Sequence, residues 1–152
     1  GVAGVDLEPS EGGENRAELL GLLAEQGKDL IIGVGFLFAD SITEVATANE
    51  GVNFGIVDSV VEPGNVAGMV FTEHEGSFLV GVAAGLKTTT KQVGFIGGVE
   101  FALIQKFEAG FVAGVAAACP ECTVDVKYAT VPPDFSGFNL PDKGNEIALA
   151  QY

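Results

Sequence analysis

The chain has 152 residues, 21 acidic side chains against 7 basic ones, and a formal charge of −14. That balance excludes a nucleic-acid partner, which needs clustered Lys and Arg to displace counterions, and Arg16 is the only arginine available to clamp a polyanion. Apolar residues make up 47%, enough to bury a core in one domain or two small lobes, and no apolar run reaches the roughly 20 residues of a membrane span.

The opening "GVAGVDLEPSEGGE" has neither a basic start nor an apolar h-region, so it does not read as a secretion signal. The expectation is a cytoplasmic protein, or a mature product or fragment. Glu14 to Gln26 places Ala17, Leu19, Leu20, Leu22, Leu23 and Ala24 near helical spacing, and Gly27 ends the pattern. Leu30 to Val34 is a continuous apolar run, as expected of a strand buried on both faces. Asp40 or Ser41 is placed to cap a helix running to about Ala48. Asn53 to Val57 reads as a second buried strand ending at Asp58, "VEPGN" as a turn, and Val66 to Phe71 as a third strand.

Thr72 then stands where a cap would precede a helix over Glu73 to Leu86. Its Gly76, Gly81 and Gly85 suggest close packing against a sheet. "KTTTK" is a connector, and Gln92 to Ile96 is a strand followed by Gly97 and Gly98. Phe101 to Ala118 is helical, with Leu103, Ile104, Phe107, Phe111 and Val115 on one face. Thr123 to Tyr128 is a strand, "ATVPPDFSGFNLP" an irregular loop, and Asp142 to Tyr152 a last helix.

This alternation implies βαβ units, with parallel strands and helices on both faces. Ligands of such sheets sit beyond the carboxyl ends of the strands. That rule selects Gly35 and Phe36, Asp58, Gly97 to Phe101, and the loop after Tyr128. Gly33-x-Gly35 is half of a dinucleotide fingerprint, but Phe38 stands in the third glycine's place and bulky Phe36 follows the second glycine. Phe36 therefore reads either as core between strand and helix or as a ring presented to a cleft. Asp58 either caps a turn through Ser59 or accepts hydrogen bonds from a ligand. Phe135 and Phe138 either plug their loop or stack on a planar ligand.

His74 is the only histidine and lies between Glu73 and Glu75 in a first helical turn, where acids suit the helix dipole; it reads as a solvated helix start. "CPEC", Cys119 to Cys122, supplies half of a zinc site and follows a helix instead of opening one, so a local disulfide or two inert thiols are expected. No nucleophile–base pair emerges, so the chain reads as no enzyme, with no metal and no cofactor.

"DLIIGVGFLFADSITEVA", "VNFGIVDSVV", "MVFTEHEGSFLVGVAAGLKT" and "KQVGFIGGVEFALIQKFEAGFVAGV" stand in order along the chain. Together they resemble the basic membrane protein family of substrate-binding lipoproteins, which includes purine nucleoside receptors of ABC importers. The resemblance covers roughly Val5 to Tyr152. It implies a type I periplasmic-binding-protein fold, α/β, with two Rossmann-like lobes and ligand in the cleft between them. Residues 1–68 would be part of the first lobe and 69–152 part of the second.

The family begins with a further strand and a ligand-binding loop, and it continues well past the "KGNEIALAQY" helix. The resemblance thus implies that the 152 residues are the middle of a longer protein, held to the membrane only through a lipid anchor outside this chain. It further implies an extracytoplasmic location, a nucleoside-like small-molecule ligand and an ABC permease partner. In "FNLPDKG", Phe138, Pro141, Lys143 and Gly144 match the family's aromatic-Asp-Pro-x-Lys-Gly pattern, with Leu140 in place of the Asp. By carry-over Phe138 stacks on the base, with Phe135 as substitute if the extra residues "PPDFS" shift the loop. Asp58 accepts ligand hydrogen bonds, and Phe36, Gly35 and Gly98 shape the cleft. A binding protein or sensor for another planar or sugar-like solute is the alternative, and a nucleotide-cofactor enzyme on a Rossmann-like sheet is a more distant one.

Overall fold

A computed structural model describes residues 3–10 and 12–152. The chain divides into two compact units, one running through Phe71 and the other covering Thr72–Tyr152.

The first unit contains helix α1 (Arg16–Glu25), strand β1 (Leu30–Gly33), a 3-10 turn (Phe36–Phe38), helix α2 (Ala39–Ala48), and strands β2 (Asn53–Val57) and β3 (Val66–Met69). The strands form a parallel sheet in the order β1-β2-β3, with Ile31 opposite Phe54 and Phe54 opposite Val66. Helix α1 ends as the sequence suggests. Gly27 takes φ +69°, its N–H donates to the Ala24 carbonyl at 3.0 Å, and the Lys28 N–H donates to that of Leu23 at 3.3 Å. That double bond closes a helix end only when the residue after the cap is left-handed, which glycine does without a Cβ penalty.

Leu20, Ile31, Ile42, Val45, Ala46, Phe54 and Ile56 form the buried core between the two helices and one face of the sheet. Each of these side chains except that of Ala46 contributes about 1.5–3 kcal/mol of transfer free energy. Strand β1 corrects the expectation of two buried faces. Ile31 and Gly33 are buried, while Leu30 and Ile32 are 56% and 49% exposed. Both helices of this unit pack on the Ile31 side, so the strand's continuous apolar run meets protein on alternate residues only.

Neither Asp40 nor Ser41 caps α2. The 3-10 turn leads directly into the helix at Ala39, where the residue in the capping position is Phe38, which has no side-chain acceptor. The far end of α2 is instead held by Asn65. Its Nδ2 lies 3.1, 3.1 and 2.9 Å from the carbonyl oxygens of Ala46, Asn49 and Val52. One amide thus ties the end of α2 to the start of β2 and of β3. The third strand stops at Met69 and not Phe71, with Val57 opposite Met69 as the last pair.

The second unit contains helix α3 (Glu73–Lys87), strand β4 (Gln92–Val99), helix α4 (Ala102–Ala118), strand β5 (Thr123–Thr130), a 3-10 turn (Ser136–Asn139) and helix α5 (Pro141–Gln151). Strands β4 and β5 are parallel, with Phe95 opposite Val126 and Gly97 opposite Tyr128. Helix α4 covers one face, where the Phe95 and Phe111 rings lie 5.7 Å apart. Helix α5 covers the other: the Gln151 side chain fills the space beside Gly94, and its Nε2 donates to the Asp125 carbonyl at 2.9 Å. Pro141 opens α5 at a position where its missing N–H costs nothing.

Three sequence expectations change here. Thr72 precedes α3, but its side chain does not cap it; its carbonyl accepts the Glu75 N–H at 2.9 Å. Gly81 and Gly85 pack against helix α4 and not against a sheet, while a Cβ added at Gly76 would face open space. A Cβ on Gly81 would strike the Phe111 carbonyl, and one on Gly114 would strike that of Phe78. The two helices therefore cross backbone to backbone at their glycines, and Ser77 Oγ adds a hydrogen bond to the Phe107 carbonyl at 2.6 Å. Gly97 and Gly98 lie inside β4, which runs to Val99. A Cβ on Gly97 would strike the Tyr128 ring, so the strand continues because its glycines admit neighbouring rings.

Candidate ligand-binding site

In the first unit the candidates follow the strands directly. Gly35 has φ +108°, a conformation that favours glycine. It turns the chain from β1 into the 3-10 segment that begins at Phe36, and its carbonyl accepts the Phe38 N–H at 3.2 Å. Phe36 is half-buried. The space where Gly33 lacks a side chain is taken by Ile42 and by Phe38. Phe38 thus packs back onto the strand, and a glycine in the strand provides the close approach that a dinucleotide fingerprint obtains from its third glycine.

Asp58 is the residue immediately after β2 and holds φ +65°, a left-handed conformation that Asp tolerates better than most. Its N–H donates to the Met69 carbonyl at 2.9 Å. Among the described residues nothing hydrogen-bonds its half-buried carboxylate, so of its two readings the cap through Ser59 is not made. Gly35 and Asp58 each lie two residues beyond the register partners Gly33 and Ile56. They therefore share the carboxyl edge of the sheet.

In the second unit the structure brings Gly98, Phe135 and Phe138 together with Phe101, which the strand-end rule selected but left without a role. The Phe138 ring rests where Gly98 has no side chain, with Cδ1 and Cε1 at 2.6 and 2.8 Å from the place a Cβ would occupy. Phe101 meets Phe135 edge to face at 5.6 Å between centroids and meets Phe138 at 6.2 Å, interplanar 85°. Edge-to-face pairs of this kind are favoured by the ring quadrupole. Phe101 directly precedes α4, at the end of a strand, and that position was its only signal in the sequence.

The loop carrying the two rings is built by short-range polar contacts. Thr130 Oγ1 donates to the Asp134 carbonyl at 2.7 Å, and the Ser136 N–H donates to Asp134 Oδ1 at 2.9 Å. The Ser136 side chain and N–H hold the Asp134 carboxyl below the usual carboxylate range. The Pro132–Pro133 peptide is cis. Gly137 lies against the Gly98 carbonyl, too close for any side chain. Phe135 and Phe138 remain 37% and 43% exposed, so the loop braces the rings without closing over them.

Within the second unit, partly exposed aromatic rings beside glycine backbone offer a face on which a flat molecule can stack. Among the described residues no group of His, Cys, Asp and Glu converges to hold a metal ion. His74 lies exposed in the first turn of α3, as a solvated helix start does. Cys119 and Cys122 form a disulfide at the end of α4, one of the two states the sequence left open. No helix is long and apolar enough to cross a membrane among the described residues.

A family model described as "ABC transporter substrate-binding protein PnrA-like" (Bmp) matches residues 3–143. The chain belongs to this family. The family is one of substrate-binding proteins of ABC transporters and not of enzymes. A "CD4+ T-cell-stimulating antigen" of Listeria innocua is 45% identical over 82% of this chain and 33% of its own length. An "ABC transporter nucleoside-binding protein BmpA" of Lactococcus lactis is 39% identical over 84% of this chain and 35% of its own length. "Basic membrane protein A" of Borreliella burgdorferi is 31% identical over 96% and 42%. The chain thus spans about a third to two fifths of these relatives.

Among solved structures, a solute-binding protein of an ABC transporter system from Aeropyrum pernix superposes with a TM-score of 0.70 at 24% identity, covering 90% of this chain and 40% of that one. A second, from Conexibacter woesei, gives 0.55 at 26% identity, covering 85% and 46%. The Bmp-family chain therefore has the α/β, parallel-strand architecture of type I periplasmic solute-binding proteins.

Proposed function

We propose that the protein is the solute-binding component of an ABC importer and that its ligand is a purine nucleoside. The observation that carries this reading is the Phe138 ring, seated on Gly98 at the carboxyl end of β4 and still 43% exposed. A partly exposed flat ring held in place can stack on a heterocycle. Phe138 stacks on the base, with Phe135 beside it. The Asp58 carboxylate accepts hydrogen bonds from ligand hydroxyl or amine groups, and Phe36, Gly35 and Gly98 give shape to the surfaces around them. Residues 1–68 and 69–152 serve as first-lobe and second-lobe segments.

The nucleoside-binding relative from Lactococcus lactis supports this choice of ligand. The disulfide supports an oxidising, extracytoplasmic location, because such bonds persist outside the reducing cytosol. A lipid anchor on the full-length protein and an ABC permease complete the reading. Thermal unfolding of the full-length protein with purine nucleosides, pyrimidine nucleosides and free sugars tests it. Purine nucleosides should raise the unfolding temperature most, since a ligand that binds only the folded state stabilises it by mass action. A shift with sugars alone would assign the site to the sugar-like alternative.

A further inference from the structure

We propose that Phe101 is a positioning residue, which holds the Phe138 ring in the orientation that receives the planar ligand; the inference rests on the nucleoside reading above. Phe138 sits on a 3-10 turn of four residues in a long connection, a segment with little regular backbone of its own. Phe101 is anchored differently. Its N–H donates to the Val99 carbonyl at 3.1 Å, and its carbonyl accepts the Gln105 N–H at 3.0 Å. It therefore joins the end of β4 to the start of α4 and offers a fixed reference for rings that come from the loop.

Backbone and ring contacts both act on Phe138. Gly98 provides a seat that any side chain would fill, and the Gly137 carbonyl also closes to 3.2 Å of that place. Phe101 stands at 85° to Phe138 and at 77° to Phe135. One ring anchored between β4 and α4 thus touches both loop rings edge to face, so a change in its shape bears on both. A ligand that stacks needs one ring plane, and a ring free to turn loses part of its binding free energy in ordering. Groups that position a site work best when mounted on rigid elements, as Phe101 is.

The test uses the full-length protein with ring-labelled phenylalanine, the Phe138 resonance being assigned by its loss in Phe138→Leu. Without ligand, Phe138 should give one sharp ring signal, which broadens or splits in Phe101→Leu and in Phe101→Met and sharpens again in Phe101→Tyr. In titration with guanosine or inosine, Phe101→Leu should weaken binding about threefold to tenfold, the scale of an aromatic pair. Phe101→Tyr should restore it, and Phe101→Leu should add nothing further in a Phe138→Ala background. An unchanged Phe138 signal in both Phe101→Leu and Phe101→Met, or a loss of binding that persists in full without the Phe138 ring, would overturn the proposal. If no nucleoside binds, the nucleoside reading fails, and the ring signal still decides whether Phe101 orients Phe138.

Discussion

The α3–α4 crossing makes a sharp prediction about two glycines of the same unit. Replacing Gly114 by Ala places a methyl group against the Phe78 carbonyl, and neither helix can yield a flexible side chain to relieve it. The helices must separate, at an overpacking cost of about 3 kcal/mol, the upper part of the usual range because the obstacle is backbone. Helix propensity returns about 1 kcal/mol for Gly→Ala. The net loss is about 2 kcal/mol, which lowers the unfolding temperature by roughly 4–8 °C in a domain of this size. Gly76→Ala on α3 is the control, since nothing lies within 4 Å of its Cβ position. It should stabilise by about 0.5–1 kcal/mol through propensity alone. Thermal and urea unfolding of the two variants in the full-length protein measure both numbers. If Gly114→Ala raised stability as Gly76→Ala does, the backbone-to-backbone crossing would be refuted.

Two further predictions concern polar groups. Asn65→Ala removes the amide shared by the Ala46, Asn49 and Val52 carbonyls, and should cost about 1–3 kcal/mol in urea unfolding, while Asn65→Asp, which cannot donate, should do no better. The Tyr128 hydroxyl donates to Glu108 Oε2 at 2.5 Å, and burial, then that carboxylate, push its pKa well above the ordinary tyrosine value. The folded value lies above the unfolded one, so the contribution is complete below about pH 10, the ordinary tyrosine value, and is lost as pH rises through the folded value. Alkaline difference spectra of wild type minus Tyr128→Phe should show one phenol titrating later than a free tyrosine, and a normal midpoint would contradict the contact.

Much of the fold was legible because local signals and tertiary demands agree. Helix α1 stops where Gly27 permits a left-handed residue, and β2 spans Asn53–Val57 as its apolar run suggests. Apart from the caps expected of Asp40, Ser41 and Thr72, the failures come from neighbours distant in sequence. Gly97 and Gly98 read as the end of a strand, yet they lie within one because Tyr128 and Phe138 fill the space their missing side chains leave. Gly81 and Gly85 announce a close approach without saying that the partner is helix α4. The apolar run of β1 cannot show that both helices of its unit pack on the same face. At the candidate site, Gly98 and Phe138 were singled out separately, one at a strand end and one in a loop, and the structure seats one on the other. Phe101 was selected as a strand-end position, but its contacts with two rings more than thirty residues away are recorded by no local pattern.

Isothermal calorimetry of the full-length protein with inosine, guanosine and adenosine, in wild type and Phe138→Ala, tests the account most directly. The wild type should bind at least one of the three saturably. Phe138→Ala should lose about tenfold to a hundredfold in affinity, the range of base–aromatic stacking. Absence of heat with all three nucleosides, or equal affinity without the Phe138 ring, would contradict the nucleoside reading.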